Sequence, residues 1–333
     1  MLGHLESPLA STLKKYEMVQ MIQQLKFIDL FAGIGGIRQG FEDVQTTCVF
    51  TSEWDVFSQK TYEANFGERP HGDITQIAET DIPCHDILLA GFPCQPFSSI
   101  GKREGFLHET QGTLFFDVLR IINYHQPRMF LLENVAGLVN HDNGNTFKII
   151  LSALHSAGYD VFHEILDAGN FGVPQVRKRI IIVGFRKDLQ VNHFVIPTTN
   201  NKEKFVNEIL EQNPKGYAIS EHLQKSYLFK KDDGRPQIVD NNSKLKAKTL
   251  VSTYHKIQRL TGTFVKGGET GVRLLSELEC KRLMGFDDTF KIPVSRTQMY
   301  RQFGNSVAIP VIKAVADEMK KVLHRATQGE SNG

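Results

Sequence analysis

The segment GFPCQPFS, residues 91–98, places one thiol in a constrained loop. The apolar run before it, HDILLAG (85–91), predicts a buried strand that ends where the loop begins. Pro93 and Pro96 restrict the backbone on both sides of Cys94, so the thiol has a defined direction. A cysteine after an α/β strand is suited to nucleophilic chemistry, although a single cysteine there is more often an inert small residue.

Acidic and basic side chains at two later strand ends could act beside this thiol. Glu133 ends the apolar run MFLLE, where loss of solvent would raise its pKa and suit it to general-acid work. Arg177 and Arg179 enter the next β-branched run, where a guanidinium could hold a carbonyl oxygen or a carboxylate. Each arginine taken alone is more often part of a structural ion pair.

Three earlier strand ends favour an adenosine-containing cofactor. The loop DLFAGIGG (29–36) opens a helix, and its glycines permit close approach of a ligand to the helix N-terminus. Glu53 could bind both ribose hydroxyls, Trp54 could cover an adenine face, and Asp73 could accept a bond from the adenine amino group. Glu53 could instead be a helix N-terminal charge and Trp54 a core residue. The loop reads GIGG and not GxGxxG, which disfavours a Rossmann dehydrogenase.

Alternating strands and helices position these groups. The pattern predicts strands at 26–33, 48–55, 85–91, 127–135 and 179–185, and helices at 33–43, 56–67, 113–125 and 146–158. This alternation predicts an α/β fold with a Rossmann-like, doubly wound, mostly parallel sheet. Further predicted elements are strands at 248–254 and 262–268 and helices at 8–24, 274–286 and 306–324.

The predicted organisation has an extension, a main domain and a small domain. These are an N-terminal extension (1–25), a catalytic and cofactor-binding domain (26–188 with 300–325), a small mixed domain with its hinge (189–285) and a tail (326–333). Residues 199–273 hold 14 Lys and Arg against 8 Asp and Glu, although the whole chain carries only +2. The basic segment favours a nucleic-acid-facing part, and a solvated surface is an equal interpretation from charge alone.

The composition is that of a soluble globular protein, with 41% hydrophobic and 23% charged residues. The four cysteines show neither a CxxC pair nor zinc spacing, so we expect no metal, no disulfide framework and a reducing compartment. No apolar run is long enough for a membrane span, and the N-terminus lacks the apolar core of a signal peptide. We therefore expect a cytoplasmic protein without a membrane partner.

Taken in order, the motifs resemble those of the DNA cytosine-5 methyltransferases. The matching segments are FIDLFAGIGG, SEWD, GDIT, GFPCQPFS, GTLFFD, LLENV, QVRKRIIIVG, LSELECKRLMGF and QFGNSVAIP. They cover roughly residues 26–188 and 272–315. Two positions depart from the family: Asp287 stands where a proline is common, and Val176 where many members have Asn or Lys.

The resemblance implies the fold of S-adenosylmethionine-dependent methyltransferases and gives roles by position. Cys94 would add to C6 of cytosine, and Glu133 would contact the N3 and amino edge. Arg179 would hold the O2 carbonyl, and Arg177 would position the nucleophile and the acid. C5 would then take a methyl group from S-adenosylmethionine, leaving S-adenosylhomocysteine, before the thiolate is expelled. The residues that match the cofactor pocket are Phe31, Gly33, Ile34, Gly35, Gly36, Glu53, Trp54, Asp73, Ile74, Gly91, Pro93, Leu114, Asn305 and Ser306.

The same resemblance implies double-stranded DNA as the partner. The target cytosine would leave the base stack, the segment from Ser98 to Gly112 would close over it, and the basic domain, about 189–272, would read the major groove. Candidate DNA contacts are Gln95, Ser98, Ser99, Lys248, Thr249, Ser252, Tyr254, Lys256, Arg259, Thr261 and Lys266. Thr249 with Leu250 ranks first, because the family usually has a Thr-Leu pair in this region.

The function predicted from the resemblance is the modification half of a bacterial restriction-modification system. A restriction endonuclease would be its genetic but not its physical partner, and the chain would act as a monomer. A tRNA cytosine-5 methyltransferase is the alternative, but the region after Arg186 lacks the Cys-Phe-Thr pattern of that branch. A non-catalytic DNA-binding module is disfavoured because Cys94, Glu133 and Arg179 are all present.

Overall fold

The computed structural model describes residues 24–93 and 114–328, with side chains as far as residue 326. Within these residues the strands are β1 Leu25–Leu30, β2 Thr46–Ser52, β3 Ile87–Ala90, β4 Met129–Val135, β5 Tyr159–Asp167, β6 Lys178–Arg186, β7 Gln237–Val239, β8 Thr263–Lys266 and β9 Val272–Arg273. The α-helices are α1 Gly36–Phe41, α2 Val56–Phe66, α3 Leu114–His125, α4 Asn145–Ser156, α5 Glu221–Leu223, α6 Glu277–Met284, α7 Arg296–Asn305 and α8 Ile309–Gln328. The predicted closing loop and, except for Gln24, the helix predicted at 8–24 lie outside the described residues.

The larger sheet has the strand order β2-β1-β3-β4-β6-β5 and confirms the predicted doubly wound, mostly parallel α/β fold. Strands β1 to β4 run parallel, and β6 is antiparallel to β4 and β5. The sequence pattern missed β5, because only Tyr159 and Leu166 in it are buried and a continuous apolar run is absent from this strand. The prediction of a strand at 248–254 is wrong, because that stretch is irregular and its backbone groups form hydrogen bonds with side chains.

Helices cover both faces of the larger sheet, which explains why its central strands are almost wholly apolar. On one face, Phe27 and Leu131 pack with α1 and α8. On the other face, Ile28 and Phe130 pack with α3 and α4. Burial of each large apolar side chain contributes about 1.5–3 kcal/mol of transfer free energy. The two layers therefore make a rigid support for the polar groups at the sheet edge.

The start of α2 follows a local capping signal. Asp55 Oδ2 accepts a hydrogen bond from the Ser58 amide at 2.8 Å, and the helix ends at Gly67 with φ 72°. A carboxylate cap of this kind stabilises a helix start by about 1 kcal/mol. Because α2 begins directly after Glu53 and Trp54, the cap also sets the direction in which these two residues leave β2.

A smaller sheet belongs to the chain between β6 and α6. Strand β8 pairs in parallel with β7 and in antiparallel with β9, and it confirms the strand predicted at 262–268. A separate apolar cluster packs behind this sheet and includes Leu228, Val239, Phe264 and Phe303. The strands of this region are short, so most of its described backbone between β6 and α6 is irregular.

The last helix, α8, packs against α1 near the start of the chain. A Cβ added at Gly40 would stand 2.6 Å from Ile312 Cβ, so this close approach leaves no room for a side chain. The Lys320 ammonium donates to the Phe41 carbonyl at 3.0 Å and pairs with Asp43. The two helices thus form one layer over the sheet. In the described parts of the chain, no helix has the length and apolar character needed to cross a membrane.

Candidate active site

The carboxyl ends of three neighbouring strands bring the predicted polar groups to one edge of the larger sheet. Strand β1 pairs with β3, and β3 pairs with β4. β1 leads into the glycine loop 31–36, β3 leads into Gly91, and β4 carries Glu133. The chain leaves β1 towards β2 and returns on the other side of β1 as β3. Crossover points of this kind are where α/β sheets bind ligands.

Glu53 closes the glycine loop from the end of β2. Its carboxylate accepts hydrogen bonds from the Gly33 amide at 2.8 Å and from the Asp55 amide at 2.7 Å. The side chain is buried, and burial raises its pKa against the lowering effect of these amides. Each carboxylate oxygen has a second lone pair, so Glu53 can accept bonds from hydroxyl groups at the loop. Asp55, and not Glu53, caps α2.

Trp54 and Asp73 lie at the protein surface close to the end of β2. Trp54 is 72% exposed, which excludes the core role and leaves its ring face open to a planar ligand. The Glu53 amide donates to the His71 carbonyl at 2.8 Å, and this bond holds the chain before Asp73 next to β2. Asp73 Oδ1 accepts a hydrogen bond from the Thr75 amide at 3.0 Å. Glu53 therefore contacts the glycine loop directly, and Trp54 and Asp73 lie at the surface near the end of β2.

The glycine loop also contacts Ser306, which the prediction places in the same pocket. A Cβ added at Gly36 would stand 2.5 Å from Ser306 Oγ, and one added at Gly35 would stand 2.3 Å from the Phe66 ring. Gly35 further adopts φ 81°, which only glycine tolerates freely. The side chain of Ile34 is buried in the apolar cluster behind the smaller sheet. The loop can therefore offer its backbone, but not the Ile34 side chain, to a ligand.

The other predicted site residues differ in exposure, and some lie outside the described residues. Phe31, Gly91 and Leu114 are half-buried, Ile74 is buried, and Pro93 and Asn305 are exposed. Cys94, Gln95, Ser98 and Ser99 lie outside the described residues. The described chain before them ends at Pro93, directly after the edge of the sheet.

Glu133 and Arg179 form an ion pair between β4 and β6. Arg179 Nε lies 3.0 Å from Glu133 Oε1. Glu133 is 8% exposed, and burial raises its pKa, while Arg179 and Arg177 act to lower it. A Cβ built on Gly91 would lie 3.7 Å from Glu133 Oε2, so this oxygen is close to the chain that leads to Cys94. The pair combines a carboxyl group that can hold a proton with a guanidinium fixed beside it.

Arg177 differs from its neighbour because, among the described residues, its guanidinium donates only to backbone carbonyls. It is 1% exposed; Nη1 donates to the Leu250 carbonyl at 2.9 Å, and Nη2 donates to the Gly304 and Ser306 carbonyls at 2.9 Å and 2.5 Å. Burial, and then repulsion from Arg179, lowers its pKa to about 9. Three chain segments thus meet on one guanidinium, an arrangement that favours a positioning role over a direct contact with substrate.

Two polar side chains that sequence reasoning missed hold the same region. Asn134 Nδ2 donates to the Phe92 carbonyl at 2.8 Å, two residues before Cys94. Gln175 is fully buried, and its Oε1 accepts the Leu250 amide at 2.7 Å. A signal was present for both, because each is a polar residue beside a buried strand and such residues need internal partners.

The predicted DNA contacts separate into accessible and internally bonded side chains. Lys256, Thr261 and Lys266 are exposed, and Lys248, Thr249 and Ser252 are half-buried. Tyr254 is 2% exposed and donates to the Thr263 carbonyl at 2.6 Å. Arg259 is 5% exposed and donates from Nε to the Leu228 carbonyl at 2.8 Å. The burial of Tyr254 and Arg259 disagrees with a direct DNA contact, because their polar atoms already have partners within the protein.

The chain is similar over most of its length to proteins of one family. The family model described as C-5 cytosine-specific DNA methylase matches residues 25–321. The Type II methyltransferase M.BsuFI of Bacillus subtilis is 67% identical over 301 residues, which are 90% of this chain and 73% of that protein. The Type II methyltransferase M.MspI of Moraxella sp. is 58% identical over 303 residues, which are 91% of this chain and 72% of that protein.

Solved structures share the fold at lower identity. The crystal structure of a Spodoptera frugiperda DNMT2 mutant has a TM-score of 0.73 at 21% identity and covers 90% of this chain and 100% of its own. A putative DNA modification methyltransferase encoded within an E. coli prophage has a TM-score of 0.69 at 20% identity, with 90% and 100% covered. The fold is that of the S-adenosylmethionine-dependent methyltransferases. Together with the family match, it shows that the chain belongs to the C-5 cytosine-specific DNA methylase family and is a DNA cytosine-5 methyltransferase.

Proposed function

We propose that this chain transfers a methyl group from S-adenosylmethionine to C5 of a cytosine turned out of a specific short duplex DNA sequence. The route proposed is a covalent bond between Cys94 and C6 of the base. The observation that carries the proposal is the pair formed by Glu133 and Arg179, 3.0 Å apart at the end of β4. Gly91, beside Glu133, stands three residues before Cys94 in a chain of the cytosine-5 methylase family.

The residues of the site provide a route around the poor nucleophilicity of C5. Addition of the Cys94 thiolate to C6 would break the 5,6 double bond and place electron density on C5. Glu133, whose pKa is raised by burial, would donate a proton at N3 as this charge develops. Arg179, already fixed against Glu133, would hold the O2 carbonyl without rearrangement. Once C5 has taken the methyl group, loss of the C5 proton to solvent, expulsion of the Cys94 thiolate and return of the N3 proton to Glu133 would restore the aromatic ring.

The residues around the glycine loop fit the methyl donor expected for the family. Glu53 keeps acceptor capacity for two ribose hydroxyls beyond its two amide bonds, and Trp54 exposes a ring face for adenine. The space at Gly33 is open, since an added Cβ would meet no described atom within 4 Å. When bound, the donor supplies an electrophilic methyl group. The role of the protein is to hold this donor beside the base.

The small basic region would bind the duplex around the target. A stacked cytosine cannot reach a thiol on a protein loop, so the base must leave the helix. Residues 199–273 carry an excess of positive charge, and Lys256 and Lys266 are exposed within them. Two relatives are named Type II methyltransferases, which supports the proposal that this enzyme acts in a restriction-modification system. An endonuclease of the same specificity would be its genetic partner, and one chain would suffice for each duplex.

The test is a base-resolution map of 5-methylcytosine in plasmid DNA from a methylation-free host that makes this chain. Bisulfite conversion should reveal one short motif that is methylated at every occurrence. A parallel culture that makes Cys94→Ser is the control, and it should lose this methylation while the protein stays folded. Soluble unaltered protein that leaves the plasmid unmethylated would contradict the proposal. Transfer RNA with a labelled methyl donor would then test the tRNA alternative.

A further inference from the structure

The buried side chain of Arg259 forms hydrogen bonds with the backbone of a loop near the smaller sheet. The side chain is 5% exposed. Its Nε donates to the Leu228 carbonyl at 2.8 Å, Nη2 donates to the Lys231 carbonyl at 2.9 Å, and Nη1 donates to Asp233 Oδ2 at 2.9 Å. A planar guanidinium can make these bonds together because it presents five donors in a fixed fork. One side chain therefore sets the course of residues 228–233.

The loop around these residues, 227–235, presents aromatic and basic side chains to the outside. Tyr227 is 37% exposed and Phe229 is 46% exposed. Lys230 Nζ lies 5.5 Å from the centre of the Tyr227 ring, and Lys231 is exposed. Single exposed apolar residues are ordinary on a protein surface. Two aromatic rings beside two lysines instead form a surface suited to nucleic acid, with phosphate contacts from the lysines.

Within the described parts of the chain, the charge of this loop that has no ion-pair partner is net positive. Asp233 pairs with Arg259, so its charge is compensated within the protein. The other charged residues of the loop are Lys230, Lys231, Arg235 and Asp232. Three positive groups against one negative group favour an anionic partner, and a duplex presents one phosphate charge about every 1.7 Å along its axis.

A series of contacts joins the loop to the catalytic edge. Lys248 Nζ donates to the carbonyl of Leu260, the residue after Arg259, at 2.9 Å. The next residue, Thr249, donates from Oγ1 to the Val176 carbonyl at 2.6 Å, just before β6. The loop held by Arg259 therefore has a defined connection to the strand that carries Arg179 without sharing a residue with the acid site.

We propose that loop 227–235 contacts DNA beside the target site and that Arg259 is the positioning residue that keeps the loop in shape. This inference rests on the proposed function and names a part of the protein through which DNA is selected. Arg259 uses its donors on the loop and does not contact DNA. A preorganised loop fits one DNA surface at low entropic cost, whereas a loose loop fits several surfaces less well. We call the bonds from Arg259 to this loop the clamp. Loss of the clamp should weaken DNA binding and sequence discrimination, while the turnover of bound DNA is preserved.

The clamp is tested with Arg259→Lys, with Asp233→Asn as a second variant. Arg186→Lys is the matched control, because Arg186 also pairs with an aspartate, Asp188, at 2.7 Å, but at the end of β6. Kinetics are measured on a duplex with the motif that the unaltered chain methylates in plasmid DNA, and on duplexes with one base pair changed. For Arg259→Lys we expect KM to rise about tenfold and the kcat/KM ratio of the two duplexes to fall about tenfold. Asp233→Asn should act in the same direction, while kcat stays within about twofold of the unaltered chain.

The DNA contact of the loop is tested by the salt dependence of binding. Lys231→Met should reduce the slope of log Kd against log salt concentration by about 1, the change expected for one lost phosphate contact. Lys321→Met on α8 removes another exposed lysine, one that pairs with Glu318 far along the chain, and should leave the slope unchanged. Thermal unfolding of each variant shows whether it is folded.

The possible outcomes separate this inference from the proposed function. If Arg259→Lys does not fold, Asp233→Asn carries the test of the clamp. Folded variants with unchanged KM and discrimination, or with a loss confined to kcat, would overturn the role of Arg259. An unchanged salt slope for Lys231→Met would overturn the loop contact. In each of these cases the unaltered chain still methylates DNA and the proposed function stands; absence of methylation by the unaltered chain would overturn that function, and the inference with it.

Discussion

The catalytic edge and the region between β6 and α6 hold their polar groups in different ways. At the catalytic edge, Glu133 and Arg179 stand on paired strands whose register brings them to 3.0 Å. In the region between β6 and α6 the described strands are short, and the buried Arg259 bonds to isolated backbone groups. Arg177 and Gln175, just before β6, bond to the backbone of this region in the same way. Repeated strand pairing therefore positions the catalytic groups, whereas single buried polar side chains position the backbone of the region between β6 and α6.

This difference predicts how each region responds to substitution. A strand ladder repeats its hydrogen bonds, so a side chain can change while the backbone stays in place. An arginine bonded to three carbonyls is a single point of support, and its removal leaves several buried acceptors without donors, each costing about 1–3 kcal/mol. We therefore expect variants of the catalytic groups to lose rate while keeping the fold. Variants at the supporting contacts should change stability and DNA selection.

The largest effect should come from the nucleophile and should be confined to chemistry. Cys94→Ser should reduce methyl transfer below detection, because a serine hydroxyl is a far weaker nucleophile than a thiolate at neutral pH. Binding to duplex DNA should persist. Incorporation of labelled methyl groups measures the first property, and fluorescence anisotropy with a labelled duplex measures the second. Formation of 5-methylcytosine by this variant would rule out the covalent route.

The next effect should come from the acid on β4. Glu133→Gln keeps the shape of the side chain but removes the proton-donating carboxyl, so kcat should fall by about 10²–10⁴-fold. Single-turnover kinetics with labelled methyl donor would measure this loss. Glu164→Gln on the edge strand β5 is the control, because Glu164 is exposed and its substitution should leave kcat unchanged. A fall of less than tenfold at position 133 would assign the proton transfer to another group.

A smaller effect should appear where the two regions meet. A Cβ at Gly304 on α7 would lie 2.1 Å from the Ser252 amide nitrogen and 2.3 Å from the Val251 carbonyl carbon, and backbone atoms cannot easily move away. Gly304→Ala should therefore lower the free energy of unfolding by about 2 kcal/mol. Urea denaturation measures this change. Gly137→Ala is the matched control, since its Cβ would meet no described atom within 4 Å; equal stability of both variants would mean that this contact is loose.

The smallest effect on stability should come from Asp29, on the strand that leads into the glycine loop. Asp29 on β1 is fully buried, and burial raises its pKa to about 7, against the opposing effect of Arg38. Because the folded pKa exceeds the ordinary value of 3.8, its contribution to stability is fully present below that value and is lost as pH rises through about 7. The unaltered chain should lose about 1 kcal/mol of unfolding free energy from this group between pH 6 and pH 8. Asp29→Asn should not show that loss in urea denaturation at the two pH values, and equal pH slopes would argue against the raised pKa.

The sequence predicts most of the larger sheet, because burial on both faces appears as apolar runs. It misses β5, an edge strand with many half-exposed side chains. It also misses the acceptors of Arg177, which lie 73 and 129 residues away and are backbone carbonyls without any mark in the sequence. The sequence also predicts that Arg259 contacts DNA directly, because it does not reveal that this side chain is buried. Its charge is visible in the sequence, but its burial depends on packing between distant segments.

The contact between α1 and α8 joins two distant parts of the chain, so it can form only late in synthesis. Phe41 and Lys320 are 279 residues apart in the chain. At a translation rate of about 5–20 residues per second, α1 waits on the order of tens of seconds for its covering helix. During this time Phe27 can already pack against Phe41, but the apolar side chains of α8 are missing from the cluster that holds Ile37 and Phe41, so part of this apolar face stays uncovered. A chain that ends before α8 would leave this face of the sheet uncovered, however complete the catalytic motifs upstream.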